Sequence, residues 1–380
     1  MKICGVTFRA YTYALRRPIG DVNLPEGADD GLDLAVQVES DEGIVGESVG
    51  TAAAAQTLPQ LAQLVDGADP RSVRGCWDRM VALAFKGGLH GAMAAGISAI
   101  DRALWDLRAK INGVPLWKEL GGAGRRVRAY ASGLDTPLSD EQLYTFYAGL
   151  AARGVRAGKL KVGRDADEDE RRLRVMIDAL ASSGRRPQLI IDANEFWSPK
   201  QAVQRVSQLE RHFDFLWVEE PVRRYDFEGL RRVSEGIRAP VASGENFSGP
   251  QEFVPLLTLA AADVIQISSH VAGFTGAAIV AEMASMFDRP VVVGPDVGHS
   301  MAHLASTWRH HVMMEVFDVG RDAALVDTLP IEDGCIVLND TPGAGISFNR
   351  LYIESHQPIE RPARTLAAVY ARADDAGLLG

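Results

Sequence analysis

Charged side chains stand near the ends of four successive apolar segments. They are Lys161 in GKLKVG, Asp192 in LIIDAN, Glu219 in LWVEEP and Glu245 in PVASGEN. Their spacings are 31, 27 and 26 residues, about the length of one strand, one helix and two loops. The spacing therefore predicts a repeating β/α unit with one of these charges at the carboxyl end of each strand.

Three of these residues are carboxylates, and three anions brought to one point are tolerated only around a cation. An all-oxygen set of Asp192, Glu219 and Glu245 favours magnesium, which keeps water or substrate oxygens at its remaining positions. Lys159 and Lys161 lie one strand earlier, two residues apart, and so share one face of that strand. The lysine pair is expected to face whatever the metal holds.

Composition limits the class of protein. With 380 residues, 47% of them apolar and 24% charged, the chain can bury a large core and is expected to form two structural units. A net charge of −10 argues against nucleic acid and anionic membranes as partners. The three scattered cysteines indicate neither a disulfide framework nor a zinc site. Without a signal-peptide pattern or an apolar stretch of about 18 residues, we expect a soluble cytoplasmic protein.

The chain changes its pattern near residue 122. Before that point, alternation typical of strands occurs in KICGVTFRAYTYAL and LDLAVQVES, and helical spacing in AMAAGISAIDRALWDLRAKING, which together predict an α+β domain over 1–122. Over 123–350, eight apolar runs alternate with amphipathic segments, as in a parallel barrel with outer helices. The segment 351–380, which contains TLAAVYARADD, is expected to pack back on the first domain.

The order of the motifs KLK, DAN, VEEP and GEN resembles the enolase superfamily, and the glutamate as third ligand is similar to its mandelate racemase subgroup. The likeness covers nearly the whole chain, including SAIDRALWDLRAK and the LGG before the barrel. It implies an α/β fold, a modified (β/α)7β TIM barrel with an N-terminal α+β capping domain completed by the C-terminal segment. It also implies Mg²⁺ on Asp192, Glu219 and Glu245, and a dimer or octamer of the chain.

The resemblance further implies that Lys161 removes a proton next to a carboxylate. That proton is weakly acidic, so the enediolate formed needs strong electrostatic stabilisation, which magnesium would supply. The charge of Lys159 is expected to lower the pKa of Lys161, so that a neutral amine acts as base. Glu315 falls where the family places a glutamate that hydrogen-bonds the substrate carboxylate. Strand alternation predicts that Glu220 faces away from Glu219.

The ends of the sixth and seventh barrel strands depart from the family pattern. The subgroup usually has an aspartate after the sixth strand that orients a histidine after the seventh. Here VIQISSH places Ser268 at the aspartate position, and PVVVGPDVGH places Gly294 or Pro295 at the histidine position. His270 and His299 are the candidate replacements, with a surface or packing role as the alternative for each.

Four further residues are predicted to contact substrate. Asn194 has the same facing as Asp192, and Asp296 lies in the loop after the seventh strand, although a turn or cap role suits both. Trp197, just past DAN, is expected to line the pocket. Arg16 begins the polar loop RRPIGDVNLPEGADDG, a predicted mobile lid, and is either ordinary surface or a contact for an anionic distal group.

The absence of the usual aspartate–histidine pair bears on the type of reaction. Racemisation needs a base on each face of the α carbon, whereas dehydration needs one base and one acid, and a single group can serve as both. The sequence therefore predicts a lyase that dehydrates an acid sugar or related hydroxycarboxylate. A racemase or epimerase is the alternative, followed by a cycloisomerase and by a non-catalytic protein that binds metal or sugar acids. The expected partners are a small-molecule carboxylate and other copies of the chain.

Overall fold

The computed structural model describes residues 1–358. The amino-terminal part is a three-stranded antiparallel sheet covered by helices. The strands are β1 (Ile3–Ile19), β2 (Ala28–Ser40) and β3 (Val45–Thr51). The helices are α1 (Leu58–Val65), α2 (Val73–Leu83), α3 (Gly91–Ile111) and the short α4 (Leu116–Glu119). This is the predicted capping domain.

The core of the capping domain follows from its two periodicities. Alternate β2 residues Leu34, Val36 and Val38 are buried, as are Ile97 and Leu104 of α3, which lie on one face of that helix. Because the sheet presents every second side chain and the helix every third or fourth, the two apolar faces pack against each other. The long helix α3 is thereby fixed in direction, and its other side is free to meet the barrel.

Eight parallel strands form a closed barrel, because the last strand pairs with the first as well as with its predecessor. The strands are β4 (Arg126–Ser132), β5 (Ala157–Lys161), β6 (Gln188–Asp192), β7 (Phe215–Glu219), β8 (Val241–Ser243), β9 (Val264–Ile267), β10 (Val291–Val293) and β11 (His311–Val316). The connecting helices are α5 (Asp140–Ala152), α6 (Ala166–Ala181), α7 (Pro199–Leu209), α8 (Phe227–Gly236), α9 (Phe253–Thr258), α10 (Gly273–Met286) and α11 (Met301–Ala305). The barrel and its cap confirm the predicted fold class.

Each barrel strand places one side chain in the lower layer of the interior. This layer consists of Tyr130, Ala157, Ile190, Trp217, Ala242, Val264, Val292 and Met313. Two residues further along most strands, at their carboxyl ends, the inward positions turn polar, and they include Lys159, Asp192, Glu219, Gln266 and Glu315. The alternation of a strand therefore stacks a ring of polar groups directly above an apolar floor.

The carboxyl-terminal part adds elements that the spacing of the apolar segments did not predict. A hairpin of β12 (Ile331–Glu332) and β13 (Cys335–Val337) extends the first half of β4 in antiparallel fashion. Helix α12 (Arg350–Ser355) then lies on the cap, where Thr12 N–H of β1 donates to the His356 carbonyl at 2.8 Å. The TLAAVYARADD segment lies outside the described residues, so its predicted helix and the exact domain limits stay predictions.

Helix α3 also fastens the cap to one side of the barrel. Ser98 Oγ donates to the Ser269 carbonyl at 2.6 Å, and Asp101 accepts from both Thr275 N–H (2.9 Å) and Thr275 Oγ (2.6 Å). These contacts hold the start of α10, which follows β9. Within the described part of the chain, no helix is both long and apolar enough to cross a membrane.

Candidate active site

Carboxylates from three adjacent strand ends converge above the apolar floor of the barrel. Asp192, Glu219 and Glu245 each bring an oxygen within 4.8 Å of the others. Asp192 and Glu219 are register partners at the ends of β6 and β7 and are fully buried, whereas Glu245 is half-buried. Three oxygens without nitrogen or sulfur suit a hard divalent cation such as Mg²⁺, so this part of the prediction fits the geometry.

Glu245 reaches the cluster because of the glycine before it. Gly244 has φ of 127°, and a Cβ there would lie 2.6 Å from the backbone oxygen of Gln266. Only glycine combines this conformation with so close an approach. The chain can therefore turn inward directly after β8, so that Glu245 points at the other two carboxylates.

Both lysines of β5 point into the same cluster and are buried. Lys159 Nζ lies 3.3 Å from Asp192 and 3.0 Å from Glu315, and it also pairs with Glu219. Lys161 Nζ donates to Asp192 Oδ2 at 2.5 Å. The two lysines thus pair directly with Asp192, Glu219 and Glu315, and their assigned roles stay predictions.

The expected depression of the Lys161 pKa is not what this geometry produces. Burial and the charge of Lys159 do lower the pKa of Lys161, but the carboxylates of Asp192, Glu245 and Glu315 raise it, and the net pKa lies above its ordinary value. The physical reason is that carboxylates outnumber lysines in the cluster. A free amine on Lys161 therefore requires that another cation compensate Asp192.

The carboxylates themselves respond to the same imbalance. Burial raises the pKa of Glu219 and of Glu245 to about 8, and the neighbouring carboxylates add to that rise. Burial acts on Asp192 too, but Lys161 and Lys159 outweigh it and hold the pKa of Asp192 below its usual range. A divalent cation bound by such buried acids can displace their protons and compensate the charge of the carboxylates.

Supporting side chains that the sequence interpretation missed hold the carboxylates in place. Gln266 Nε2 donates to Glu219 at 2.9 Å and to Glu245 at 3.0 Å, so one amide bridges two of the three candidate ligands. Tyr130 OH donates to Glu315 Oε2 at 2.9 Å. Both residues occupy inward positions of their strands. Counting two residues on from Val264 of the apolar floor would have found Gln266, whereas Tyr130 belongs to the floor itself and reaches Glu315 through its hydroxyl group.

Glu220 does not follow the alternation expected of a strand. Its φ of 40° ends β7 at Glu219 and turns the next side chain, whose carboxylate accepts two bonds of 2.9 Å from Asn246 Nδ2. Burial, then the carboxylates of Glu245 and Asp192, raise the pKa of Glu220. The prediction that Glu220 faces away from the cluster is therefore replaced by a buried acid beside it.

The face opposite the lysines has no ionisable group at the two positions named by the resemblance. Ser268 Oγ donates to the Glu245 carbonyl at 2.7 Å. Gly294 N–H bonds the Ile267 carbonyl at 2.9 Å, and a Cβ on Gly294 would lie 3.5 Å from Cβ of Ser268. The two positions are neighbours, as expected for an aspartate that orients a histidine, but neither Ser268 nor Gly294 can act as a base.

The two replacement histidines lie beyond this pair of positions. His299 has φ of 57°, its Nδ1 is buried without a hydrogen-bond partner in residues 1–358, and burial lowers its pKa. It lines a cavity of about 120 Å³ together with Glu315 and Arg321. His270 is exposed, and its N–H donates to Ser268 Oγ at 3.3 Å. His299 and Glu315 thus line one cavity, which their positions in the sequence do not indicate.

Two of the residues predicted to contact substrate have partners within the chain. Asp296 forms a buried ion pair of 2.7 Å with Arg102 of α3 and accepts from Ser300 Oγ, so its carboxylate is already satisfied. Trp197 is buried in the apolar core, and its indole N–H donates to the Gly163 carbonyl at 3.0 Å. Asp296 therefore orders its loop while lining the same cavity as His299, and Trp197 braces the loop after β5. Substrate contact by either residue stays a prediction.

The other two residues predicted to contact substrate are Asn194 and Arg16. Asn194 N–H donates to Asp192 Oδ1 at 2.9 Å, while its side-chain Oδ1 is buried and has no partner among the described residues. Arg16 is exposed and pairs with Asp318 at 3.0 Å, an ion pair that solvent weakens. Asn194 thus has an unused acceptor beside the carboxylate cluster, and Arg16 stays a candidate for a distal anion.

Comparison with known proteins agrees with this geometry. Residues 33–121 match the family model of the mandelate racemase/muconate lactonizing enzyme N-terminal domain, and residues 145–352 match the enolase C-terminal domain-like model. A 3,6-anhydro-alpha-L-galactonate cycloisomerase of Streptomyces coelicolor is 31% identical over 84% of this chain and 90% of its own. An arabinonate dehydratase of Saccharolobus solfataricus is 27% identical over 85% and 90%. The crystal structure of a Streptomyces coelicolor racemase with bound magnesium superposes with a TM-score of 0.86 at 27% identity, covering 93% and 99%.

Proposed function

Because the chain belongs to the mandelate racemase/muconate lactonizing enzyme family of the enolase superfamily, we propose that it is a magnesium-dependent β-eliminating enzyme for acid sugars. Relatives of the chain are dehydratases, cycloisomerases and epimerases, so lyase or isomerase activity is the general class. One observation carries the narrower proposal. A lysine that can act as a base lies against the carboxylate cluster, whereas the strand ends on the opposite face of the site carry no base.

The ligands of the metal would be Asp192, Glu219 and Glu245. A bound Mg²⁺ supplies Lewis-acid stabilisation of the charge that develops on a substrate carboxylate. Gln266 fixes the orientation of Glu219 and Glu245 through its amide, as outer-sphere partners of metal ligands commonly do. The magnesium in the related racemase structure supports this choice of ion.

Lys161 is the group that moves the proton. In its neutral form, Nζ takes the α proton, and the electrons of the C–H bond form the carbon–carbon double bond of the enediolate. The β C–O bond then breaks, and the departing oxygen takes a proton from the Lys161 ammonium and leaves as water. The resulting enol becomes the 2-keto acid when its β carbon takes up a proton and its hydroxyl group releases one. Glu315, held by Tyr130 and Lys159, is placed to hydrogen-bond the substrate carboxylate.

Elimination is favoured over racemisation by the opposite face. A racemase must deliver a proton there, and neither Ser268 nor Gly294 titrates near neutral pH. Asp296, the carboxylate nearest in sequence, is neutralised by Arg102. A racemase would therefore depend on His299 or His270, and a cavity shared with Glu315 makes His299 the stronger of the two.

A cycloisomerase is the second candidate, favoured by the 31% identity to the anhydrogalactonate enzyme. When the β oxygen belongs to a ring ether, breaking the same C–O bond opens the ring and releases no water. The oxygen again takes its proton from Lys161 and remains in the product as a hydroxyl group. The two candidates thus share one half-reaction and differ only in what the β oxygen is attached to.

One experiment separates these outcomes. The full chain with Mg²⁺ is incubated in heavy water with a panel of acid sugars and anhydro acid sugars, and products are followed by NMR and by assay of 2-keto acids. We expect a 2-keto product from at least one compound. Deuterium exchange with interconversion of epimers and without a keto product would support a racemase. Bound ligand without exchange would favour a protein that only binds.

A further inference from the structure

The predicted lid over 16–31 is shorter in the structure, because β1 continues to Ile19 and β2 begins at Ala28. The remaining loop at residues 20–27, called the lid loop below, contacts the barrel. Gly20 N–H donates to the Leu134 carbonyl at 2.8 Å, and Arg164 Nη1 donates to the Val22 carbonyl at 3.0 Å. Val22 is 1% exposed and packs near Gly163. These contacts lie on the loops after β4 and β5, so the lid loop covers the strand that carries Lys161.

The tip of the lid loop makes one contact of a different kind. Asp21 Oδ1 accepts from the N–H groups of Asn23 (2.7 Å) and Leu24 (3.1 Å), a local turn that projects the Asn23 side chain outward. Asn23 Nδ2 then donates to the backbone carbonyl of Asn194 at 2.9 Å. The side chain of Asn23 therefore ends on the segment that follows β6.

Both backbone polar groups of Asn194 form hydrogen bonds. Its carbonyl accepts from Asn23, and its N–H donates to Oδ1 of the candidate ligand Asp192 at 2.9 Å. With φ of 41°, Asn194 is in the left-handed region, which asparagine adopts more readily than most residues with a side chain. Two hydrogen bonds hold it in this conformation, one to the lid loop and one to the candidate metal site.

We infer that Asn23 is a positioning residue that couples docking of the lid loop to metal binding, through the backbone of Asn194 to Asp192. When the lid loop is docked, Asn23 holds Asn194 in the conformation whose N–H fixes the Asp192 carboxylate for the metal. Linkage requires the reverse as well: a metal that orders Asp192 stabilises the docked loop by the same factor. This inference rests on the metal assignment of the proposed function.

The test measures metal affinity and loop protection, without reference to turnover. Mg²⁺ binding to the full chain is measured by calorimetry, and amide hydrogen exchange of residues 20–27 is measured with and without Mg²⁺. In the wild type, Mg²⁺ should slow exchange in the lid loop. Asn23→Ala should bind Mg²⁺ about three- to tenfold more weakly, the range for one hydrogen bond, and its lid loop should respond less to the metal.

Two further variants make the test specific. Asn23→Asp keeps the size of the side chain but removes the donor, so it should behave as Asn23→Ala does. Asn112→Ala is the matched control, because Asn112 is also exposed and also donates through Nδ2, to Glu119 at 2.9 Å, but in the cap between α3 and α4. It should retain wild-type affinity and protection.

The outcomes distinguish the coupling from the metal assignment. Wild-type Mg²⁺ affinity in both Asn23 variants, or a lid loop that exchanges equally with and without Mg²⁺, overturns the coupling and leaves the proposed function intact. A wild-type chain that binds no Mg²⁺ overturns the metal assignment itself. Weaker binding in the Asn112 control as well would mean that the effect is general, and would also overturn the coupling.

Discussion

Lys161 Nζ and Asp192 Oδ2 share a hydrogen bond of 2.5 Å, so the candidate base is paired with a candidate metal ligand. The two residues are register partners on β5 and β6, which fixes their separation through the barrel itself. Because the carboxylate stabilises the ammonium form, we expect Lys161 to act as a base only when a cation compensates Asp192. In the proposed mechanism, metal binding and activation of the base therefore depend on the same carboxylate.

Replacing Lys161 with alanine separates these two roles. We expect Lys161→Ala to slow deuterium exchange at the α carbon by at least about a hundredfold, the usual contribution of a general base. Magnesium binding should persist, since all three carboxylates remain. Exchange is followed by NMR in heavy water and binding by calorimetry, with the exposed Lys118→Ala as control. Exchange at the wild-type rate would remove Lys161 from the reaction.

Gln266 offers a test of the carboxylate arrangement. Gln266→Leu keeps a side chain of similar volume but leaves Glu219 and Glu245 without the amide that bridges them. Loss of such a partner typically weakens metal binding by about 10- to 100-fold. Calorimetric titration with Mg²⁺ measures the change, and circular dichroism verifies the fold. Unchanged affinity would mean that the two carboxylates hold their positions unaided.

The sequence predicted most of this site because period and spacing carry the information. Residues at strand ends, such as Lys161, Asp192 and Glu219, project inward once the strands are recognised, and the repeat length sets those strands side by side. Gln266 obeys the same rule, but an amide at a strand end does not by itself indicate a metal site as a carboxylate does. Glu315 was assigned by resemblance. It lies in contact with Lys159, and its hydrogen bond to a substrate carboxylate stays a prediction.

What could not be predicted depends on backbone conformation and on contacts between distant segments. Glu220 turns toward the cluster through a positive φ, which no side-chain pattern encodes. The ion pair of Asp296 is another example, because its partner Arg102 lies 194 residues away in the chain. Pairing across a domain boundary follows from how the cap docks, and a single sequence gives no measure of that.

The histidine of the cavity tests the reaction type. Because His299 Nδ1 has no hydrogen-bond partner within residues 1–358, His299→Asn removes no internal contact of that atom. A one-base elimination should retain its rate within about threefold, whereas a racemase that uses His299 would lose turnover of one enantiomer first. Rates with each enantiomer give the answer, and the exposed His212→Asn serves as control.

The Arg102–Asp296 pair tests how the cap is held on the barrel. Arg102→Met leaves a buried carboxylate without its partner, a change that typically costs about 3–5 kcal/mol of unfolding free energy. The double variant Arg102→Met with Asp296→Asn should recover much of that loss, because no charge is then buried alone. Urea denaturation of the three proteins measures the difference. A double variant as unstable as the single one would contradict the electrostatic explanation.

Asp101 makes the same interface sensitive to pH. Burial raises its pKa to about 7 from 3.8, against the opposing effect of the bonds from Thr275. Between those two values the folded chain keeps a proton that the unfolded chain has lost, so stability falls as pH rises from about 4 to about 7 and then levels off. Asp101→Asn keeps one oxygen that can accept from Thr275 N–H, its amide N–H can donate to Thr275 Oγ, and it has no charge to bury. Its unfolding free energy in urea should therefore fall less steeply over this range, by roughly 1.4 kcal/mol per pH unit relative to wild type. Equal slopes in the two proteins would show that Asp101 is already ionised in the folded chain, held by the Thr275 hydroxyl and N–H.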